Sequence, residues 1–448
     1  MAGGTWTKQD KVRPGVYINF TSETQKGLSI GSRGVVAICE PMSWGPVGKV
    51  MEVTAGADTT PFCGYPAYMP QARFLQEIFK GSDRTKSPTK VLLYRPAASS
   101  AVQATITEGQ LTATALYPGV RGNDITIVVT EQADSEGTFD VKTIVDGAVV
   151  DMQTATKAEE LKANAWVTFS GTGALTETAG AKLATGADGT VEAAAYTTFL
   201  QTIEAYDFDV LIYDGDDSTV QAAMVNFVER IANTQGRYAQ LVAYGLKVPD
   251  SRFVINVCAD MTGVSFADGS TLTGKQLCWW VGGAEAGADY NESLTYAKYP
   301  DAVAVTPAMT HDQITEALQA GKFVLFGEKG TVKVDADINS LTTFTADITK
   351  PYHKNRVIRT LHTIANDLYA QFSENFIGVV DNNATGRDLF KGVIVGYLQE
   401  MQANNAIQNF VPEDVDVLPG DEIDGVAIHL QVQPVDAAEK LYITLTVA

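Results

Sequence analysis

Apolar residues in the last hundred positions of the chain recur at spacings that predict two helices followed by two strands. The first helix is predicted over residues 354–372, with an apolar face of Val357, Leu361, Ile364, Ala365, Leu368 and Phe372. The second is predicted to begin near Thr385, because Thr385 and Asp388 have the spacing of a capping box. Its wide apolar face comprises Leu389, Phe390, Val393, Ile394, Tyr397, Leu398 and Met401.

Two later stretches alternate between apolar and polar residues, which predicts two half-buried strands. In residues 425–433, the apolar side comprises Val426, Ile428, Leu430 and Val432. In residues 441–447, the apolar side comprises Leu441, Ile443, Leu445 and Val447. Because the second stretch ends with the polypeptide, we expect its backbone edge to be able to pair with another strand.

Residues 1–27 have the pattern of an arm that carries one short strand between two polar stretches. The strand lies within residues 11–20, follows a turn at Pro14 and Gly15, and contains Val16, Tyr17, Ile18 and Phe20. A lone strand between polar stretches cannot bury itself. It therefore joins either a distant sheet of its own chain or a sheet of another chain, and the pattern leaves both open.

The middle of the chain predicts an α/β fold interrupted by an all-β insertion. Strands are predicted at 34–40, 90–94, 208–213, 239–244, 253–258 and 323–327, and helices at 71–79, 218–233, 276–288 and 311–320. Such alternation predicts a mostly parallel sheet covered on both faces. Residues 99–190 are instead rich in Thr, Ala, Gly and Val, which predicts a small sandwich or barrel. Turns separate five short alternating runs, at 102–107, 111–116, 123–130, 138–144 and 148–152. The predicted domains are 1–27, 28–98, 99–190, 191–347 and 348–448.

Charge and cysteine usage narrow the class of protein. The formal net charge of the 448 residues is −20, which argues against nucleic acid as a partner because phosphate binding needs a basic face. The four cysteines have no C-x-x-C spacing, so we expect free thiols rather than a disulfide or zinc site. No stretch approaches the length of an apolar membrane span, and no signal peptide is recognised.

Three features suggest chemistry, and none completes a known site. Residues 269–276 resemble a P-loop, but Gln276 stands where Ser or Thr would hold magnesium, and a polar loop leading into a helix explains them better. Asp214, Asp216 and Asp217 follow a predicted strand and could bind a cation, although helix capping by one of them explains them better. The four histidines are scattered along the sequence, and His362 is predicted to lie off the main apolar stripe of its helix. We therefore predict no catalytic, cofactor or metal site, and no enzyme activity.

Four motifs, taken in order, resemble those of the sheath proteins of contractile phage tails. They are RPGVY at 13–17, YPGVRGND at 117–124, WVGGAEAG at 280–287 and NESLT at 291–295, followed by the C-terminal helix–helix–strand–strand pattern. The similarity covers nearly the whole chain and is to the form found in Gram-positive phages and R-type bacteriocins. The resemblance implies a subtilisin-like topology for the α/β portion, without its catalytic residues.

The resemblance also implies an assembly. Six-subunit rings would stack helically around a tail tube, with baseplate and tail terminator proteins as further partners, and would contract to drive the tube through a cell envelope. No cofactor, nucleic acid or direct membrane insertion is implied. The particle would assemble in the host bacterial cytoplasm and be released by lysis.

The same resemblance assigns roles to particular residues. Neighbouring subunits would be linked by strands containing Val16, Tyr17, Ile18 and Phe20 and, at the other end, Leu441, Ile443, Leu445 and Val447. These strands would add to a β-hairpin of the C-terminal domain, whose acceptor edge contains Val426, Ile428, Leu430 and Val432. Candidates to face the tube are Asn366, Asp367, Glu374, Arg387, Asp388 and Lys391, although an ordinary solvated helix face explains them equally well.

Two alternatives from other classes stay open at this point. One is a cytosolic α/β enzyme whose site is not recognised from its motifs. The other is a surface-layer type of structural protein, which the acidic balance and the Thr-rich insertion suggest but which requires a secretion signal.

Overall fold

The computed structural model describes the backbone of residues 2–4 and 15–17 and, in full, residues 29–247 and 249–447. The chain divides into two compact units. The large unit comprises residues 32–366 and 434–448, and the small unit comprises residues 1–31 and 367–433. Each is described by itself.

A seven-stranded sheet forms the centre of the large unit. Its strands, in spatial order, are Lys322–Phe323, Val254–Val257, Gln240–Tyr244, Val210–Tyr213, Val35–Cys39, Lys90–Tyr94 and Val50–Thr54. All neighbours are parallel except the edge strand Val50–Thr54, which pairs antiparallel with Lys90–Tyr94. The predicted parallel sheet is therefore confirmed, whereas the edge strand was not predicted.

Helices cover both faces of this sheet, as predicted. Arg73–Ile78 and Leu277–Gly287 pack on the face that carries Val36 and Ile38. Ala193–Ile203, which was not predicted, and Ser218–Gln235 pack on the face that carries Ala37 and Cys39. Alternate side chains of one strand thus enter opposite cores, as the two-residue period of a strand requires.

The insertion is a sandwich of two antiparallel sheets. The four-stranded sheet has the order Ala148–Ala155, Phe139–Val145, Thr126–Glu131 and Thr178–Lys182, and the three-stranded sheet has the order Val167–Ser170, Leu111–Ala115 and Thr105–Glu108. Their facing side chains, among them Ile127, Val141 and Val167, form a separate core. The sequence predicted five of these seven strands and missed Val167–Ser170 and Thr178–Lys182.

Outside the seven-stranded sheet and the sandwich, the large unit contains two small antiparallel sheets. One contains Thr271–Thr273, Gly263–Phe266 and Ala302–Thr306, and the other contains Lys298–Tyr299, Thr331–Val334 and Leu325–Glu328. The interpretation of residues 269–276 as a polar loop is thus wrong in part, because Thr271–Thr273 forms a hairpin with Gly263–Phe266. The single strand predicted over 323–327 is also wrong, since Lys322–Phe323 and Leu325–Glu328 belong to different sheets. Helix His311–Gln319 begins as predicted, with Thr310 as its N-cap.

Two long helices, Asn355–Asn375 and Ala384–Ala403, agree with the predicted pair. Within the small unit, the rings of Phe372, Phe376 and Phe390 pack together with centroids 4.4–6.1 Å apart. The capping box predicted at Thr385 is wrong, because Asn383 is the N-cap and its side chain accepts a hydrogen bond from the Gly386 N–H. The small unit also contains the strands Ile407–Gln408, Val415–Pro419 and Val426–Leu430.

Candidate assembly surfaces

Residues 441–447, which we call the linking segment, form an exposed apolar stretch of the large unit. They adopt neither helix nor strand, and every one of them is exposed. The exposed fraction is 70% at Ile443 and 96% at Val447. The expected half-buried strand is therefore wrong for the single chain, because within the described residues no layer covers the apolar side. Contiguous exposed apolar surface of this kind is typical of an interaction site.

The linking segment begins beside a carboxylate that is held by the large unit. The Thr295 hydroxyl donates a hydrogen bond of 2.7 Å to Glu439 Oε1, and Lys354 forms an ion pair with Glu439 Oε2. The Glu439 side chain is only 14% exposed. The contact between Glu439 and Thr295 was not predicted, although Thr295 ends the NESLT motif, because the two residues lie 144 positions apart and no periodicity relates them.

A two-stranded hairpin in the small unit, which we call the C-terminal hairpin, contains the predicted acceptor strand. Val426–Leu430 pairs antiparallel with Val415–Pro419, with Ile428 opposite Val417. Val426, Ile428 and Leu430 are half-buried and His429 is exposed, as the alternation predicts, but Ala427 on the opposite side is half-buried too. Val432 is half-buried but lies beyond the strand. The partner strand was missed, although the alternation of Val415 and Val417 was a signal for it.

The hairpin has open edges in the described part of the chain. Its sheet contains two strands, so each strand has one edge without a strand partner there. A two-stranded sheet is marginal by itself, and an open edge is a template for another strand. The geometry therefore fits the addition of a strand at either edge.

The structure describes only part of the predicted arm strand. Gly15–Tyr17 pairs in parallel with Ala2–Gly4, so that Val16 lies opposite Gly3 and Tyr17 opposite Gly4. This local partner was not among the predicted ones. Ile18 and Phe20 lie outside the described residues.

Two of the six candidates for the tube-facing surface are occupied by contacts within their own unit. The Asn366 side chain accepts from the N–H of Tyr238 and donates to its carbonyl, each at 3.0 Å. Asp367 Oδ2 accepts from the Gly31 N–H at 3.0 Å and from the Tyr397 hydroxyl at 2.7 Å. These bonds use polar atoms that a partner would otherwise contact.

The other four candidates are more accessible. Glu374 and Asp388 are exposed, and Arg387 and Lys391 are half-buried. Arg387 Nη1 donates to Asn382 Oδ1 at 2.9 Å. All four lie on the helices Asn355–Asn375 and Ala384–Ala403.

A shallow groove runs along helix Ala384–Ala403 and was not predicted. It is lined by Asp388, Leu389, Gly392, Val393, Gly396, Tyr397 and Glu400. A Cβ atom added to Gly392 or Gly396 would meet nothing within 4 Å, so no described contact of the chain requires glycine there. Leu389 is 38% exposed, so the apolar face predicted for this helix is only partly buried. The G-x-x-x-G spacing in a helix was the missed signal.

The three aspartates considered for a cation have separate structural roles. Asp217 caps helix Ser218–Gln235 and accepts from the N–H groups of Thr219 and Val220, as the capping interpretation predicted. Asp216 pairs with Lys275. Asp214 accepts a hydrogen bond of 2.9 Å from Trp279 Nε1, and burial raises its pKa. Within the described residues, no cluster of three or more His, Cys, Asp or Glu side chains could hold a metal ion.

The histidines and cysteines serve the fold. Burial lowers the pKa of His362, whose ring stacks on Phe253 with centroids 5.6 Å apart. His353 Nδ1 lies 2.6 Å from the Leu341 carbonyl. The four cysteines are free and buried, as expected: Cys39, Cys63, Cys258 and Cys278. No helix in the described part of the chain combines the length and apolarity of a bilayer span.

Three family profiles match successive parts of the chain. The phage tail sheath protein beta-sandwich domain matches residues 96–188, the phage tail sheath protein central domain matches 189–340, and the phage tail sheath C-terminal domain matches 347–448.

Full-length relatives agree with the profiles. The chain is 34% identical to the phage-like element PBSX protein XkdK of Bacillus subtilis (strain 168), covering 100% of both. The crystal structure of a sheath tail protein from Desulfitobacterium hafniense is 43% identical, has a TM-score of 0.87, and aligns over 96% of this chain and 99% of that one. The helical sheath of the anti-feeding prophage in its contracted state shares the fold alone, with 13% identity, a TM-score of 0.58 and alignment over 97% of this chain and 99% of that one.

These relatives set aside the enzyme and surface-layer alternatives. The chain belongs to the phage tail sheath protein family, whose members are structural components of contractile tails and not enzymes.

Proposed function

We propose that the chain polymerises helically around a tail tube and that the resulting sheath contracts to drive the tube through a target cell envelope. The relative whose structure is a contracted helical sheath supports this assembly. The extended form would be kinetically trapped and the contracted form lower in free energy, so the work would be stored at assembly. No nucleotide or other cofactor is part of the proposal.

The observation that carries the proposal is the exposed linking segment. Leu441 and Leu445 are 84% and 90% exposed, and the segment retains strand alternation without a strand partner in the described chain. The C-terminal hairpin has the complementary property, an edge without a partner strand there. A linking segment that adds to the hairpin of a neighbouring copy would satisfy both. A head-to-tail contact of this kind generates an open helical polymer when the rotation between copies does not close into a ring.

The arm is the second proposed link. Val16 and Tyr17 belong to its described strand, and Ile18 and Phe20 complete the stretch that the resemblance assigns to linkage. Main-chain pairing tolerates rotation of whole subunits, which contraction without disassembly requires.

Tube contact is proposed for the accessible candidates Glu374, Arg387, Asp388 and Lys391, together with the groove beside them. Baseplate and tail terminator proteins are proposed as partners at the two ends of the sheath. We further propose the domain division 1–27, 28–98, 99–190, 191–347 and 348–448. The strands in 191–347 would be connected as in subtilisin. The particle would assemble in a bacterial cytoplasm and be released by lysis.

Proline at position 443 tests the linkage. Ile443→Pro removes a ladder donor and fixes φ, whereas the fold should not change because Ile443 is 70% exposed. We expect a folded monomer by circular dichroism that forms no tubes by sedimentation velocity and negative-stain microscopy. Removal of residues 1–20 should have the same result.

Ile443→Val is the matched control, because it keeps the backbone N–H and a β-branched side chain, and it should form tubes as the wild type does. Long tubes from Ile443→Pro would contradict the linkage. Unfolding of Ile443→Pro would mean that the segment belongs to its own domain.

A further inference from the structure

Residues 434–447, which we call the C-terminal stretch, have two parts with different environments. Its exposed part, residues 441–447, makes up the linking segment. Its other part, residues 434–440, belongs to the large unit and contains the buried end of Glu439. The linking segment therefore begins immediately after a point at which the chain is held by contacts of the large unit.

One carboxylate with two different partners contributes to this fixed point. Glu439 Oε1 accepts from the Thr295 hydroxyl at 2.7 Å, and Glu439 Oε2 pairs with Lys354. Lys354 is 23% exposed and Glu439 is 14% exposed. An ion pair shielded to this degree holds its partners better than one in open solvent.

Thr295 connects this carboxylate to the buried ionic cluster of the large unit. Its hydroxyl oxygen also accepts from the Asp337 N–H at 2.9 Å. The carboxylate of Asp337 in turn pairs with Arg359 at 2.6 Å. Asp337 and Arg359 side chains are 1% and 0% exposed, and breaking a buried pair is costly. The stretch is thus attached to one of the more rigid parts of the unit.

We infer that Glu439 is the positioning residue of the linking segment, because it fixes the point at which that segment leaves its own subunit and so the place where it reaches a neighbour. The inference rests on the proposed strand linkage. A fixed exit keeps the tether short, and a short tether gives the linking segment a high effective concentration at the acceptor. Without Glu439 the tether lengthens to include residues 434–440.

Replacement of Glu439 by Ala removes both contacts and leaves every residue of the linking segment in place. We expect a folded monomer in which the amides of 434–440 exchange hydrogen faster than in the wild type. At equal protein concentration, the fraction of subunits in tubes should fall about threefold, because the mobile stretch doubles in length from residues 441–447 to 434–447. Thr295→Val, which removes the shared hydroxyl, should change both measurements in the same direction.

Two further variants separate positioning from general damage. Glu439→Gln keeps an oxygen that accepts from Thr295 and should restore most of the polymerised fraction. Lys440→Gln alters the charge of the exposed neighbouring residue and should behave as the wild type. Unchanged amide exchange and unchanged tube yield in Glu439→Ala would overturn the inference. Absence of tubes from the wild type would overturn the proposed function instead, and amide exchange alone would then decide whether Glu439 is an anchor.

Discussion

Arg359 is shared by two carboxylates in the core of the large unit. Its guanidinium lies 2.5 Å from Glu285 and 2.6 Å from Asp337, and all three side chains are at most 1% exposed. One cation between two ionised carboxylates leaves a net charge of −1 in a buried site, so burial favours a proton on one of the carboxyls. Burial raises the pKa of Glu285 to about 7, with Arg359 opposing the shift and Asp337 adding to it.

This cluster makes stability depend on pH. The pKa of Glu285 is about 7 in the fold against an ordinary value of 4.5, so protonation stabilises the folded state. That contribution is complete below pH 4.5 and is lost as the pH rises through 7. Glu285→Gln mimics the protonated form. Relative to this variant, the wild type should lose about 3 kcal/mol of unfolding free energy as the pH rises from below 4.5 to 7.

Urea unfolding of both proteins at several pH values measures the difference. Glu316→Gln, at an exposed position of the same unit, is the control and should follow the wild type. A constant difference between wild type and Glu285→Gln across the window would show that Glu285 is ionised throughout.

The sequence pattern could not predict the contacts and burial of single residues such as Glu285 and His362. Glu285 was recognised only as part of the WVGGAEAG motif, and its partner Arg359 lies 74 positions away. His362 was predicted to lie off the apolar stripe of its helix, yet it is buried, because the first part of helix Asn355–Asn375 is enclosed nearly all round. Helical periodicity identifies one buried face and cannot detect a second layer on the other.

At the scale of elements, periodicity predicted most of the long helices and the most apolar strands, and failed on elements with a weaker pattern, including the helix Ala193–Ile203. Helices Ser218–Gln235 and Asn355–Asn375 and strand Lys90–Tyr94 lie where the pattern placed them. Strands Val50–Thr54 and Val415–Pro419 were missed, because five alternating residues are harder to distinguish from a loop than the continuous apolar run of the equally long Lys90–Tyr94.

The linking segment shows a different limit of the sequence pattern. Its alternation predicts a strand with one buried face, but the pattern does not say which molecule supplies the cover. Within the described chain the cover is absent and the segment is exposed. A correct pattern therefore gave a wrong environment for the single chain, and the proposed assembly accounts for the difference.

Glycines in two helices allow a test of the groove at this scale. A Cβ on Gly283 would lie 2.0 Å from the Ile78 carbonyl oxygen, whereas one on Gly392 would meet nothing within 4 Å. Gly283→Ala should therefore destabilise the fold by about 3 kcal/mol through overpacking. Gly392→Ala should stabilise it by about 1 kcal/mol, since alanine is the better helix former.

Thermal unfolding of the two variants tests the packing, and co-sedimentation with tail tube tests the function. A stabilised Gly392→Ala protein that binds tube less well would support close approach of a partner at the groove. Full co-sedimentation would reject the groove as a tube contact, and a destabilised Gly392→Ala protein would contradict the open geometry.

At the scale of the whole molecule, the sandwich is attached to the rest of the large unit by buried contacts. Trp44, which precedes the sandwich in sequence, is 1% exposed and packs into the sandwich core, with its ring 4.9 Å from that of Trp166. Arg121 Nε donates to the Gly64 carbonyl at 2.9 Å. The insertion has its own core, but its attachment is specific rather than flexible.

The two ends of the insertion nevertheless lie side by side, which makes its removal testable. Ser99 and Thr190 form an antiparallel bridge, with their N–H and carbonyl groups bonded at 2.8 and 3.0 Å. A short Gly/Ser linker in place of residues 101–189 should therefore close without strain. The excision exposes Trp44, at a cost of about 3 kcal/mol in lost apolar burial.

We therefore expect the excised protein to need the substitution Trp44→Ser for good solubility. With that substitution, the excised protein should fold and form tubes. The reason is that the linking segment, the arm and the C-terminal hairpin all lie outside 101–189, and the resemblance places this insertion on the outside of the sheath. Circular dichroism reports the fold, and negative-stain microscopy of tubes reports the assembly. The full-length Trp44→Ser protein separates the loss of the tryptophan from the loss of the sandwich. A folded, monodisperse excised protein that forms no tubes would show that the sandwich takes part in contacts between subunits.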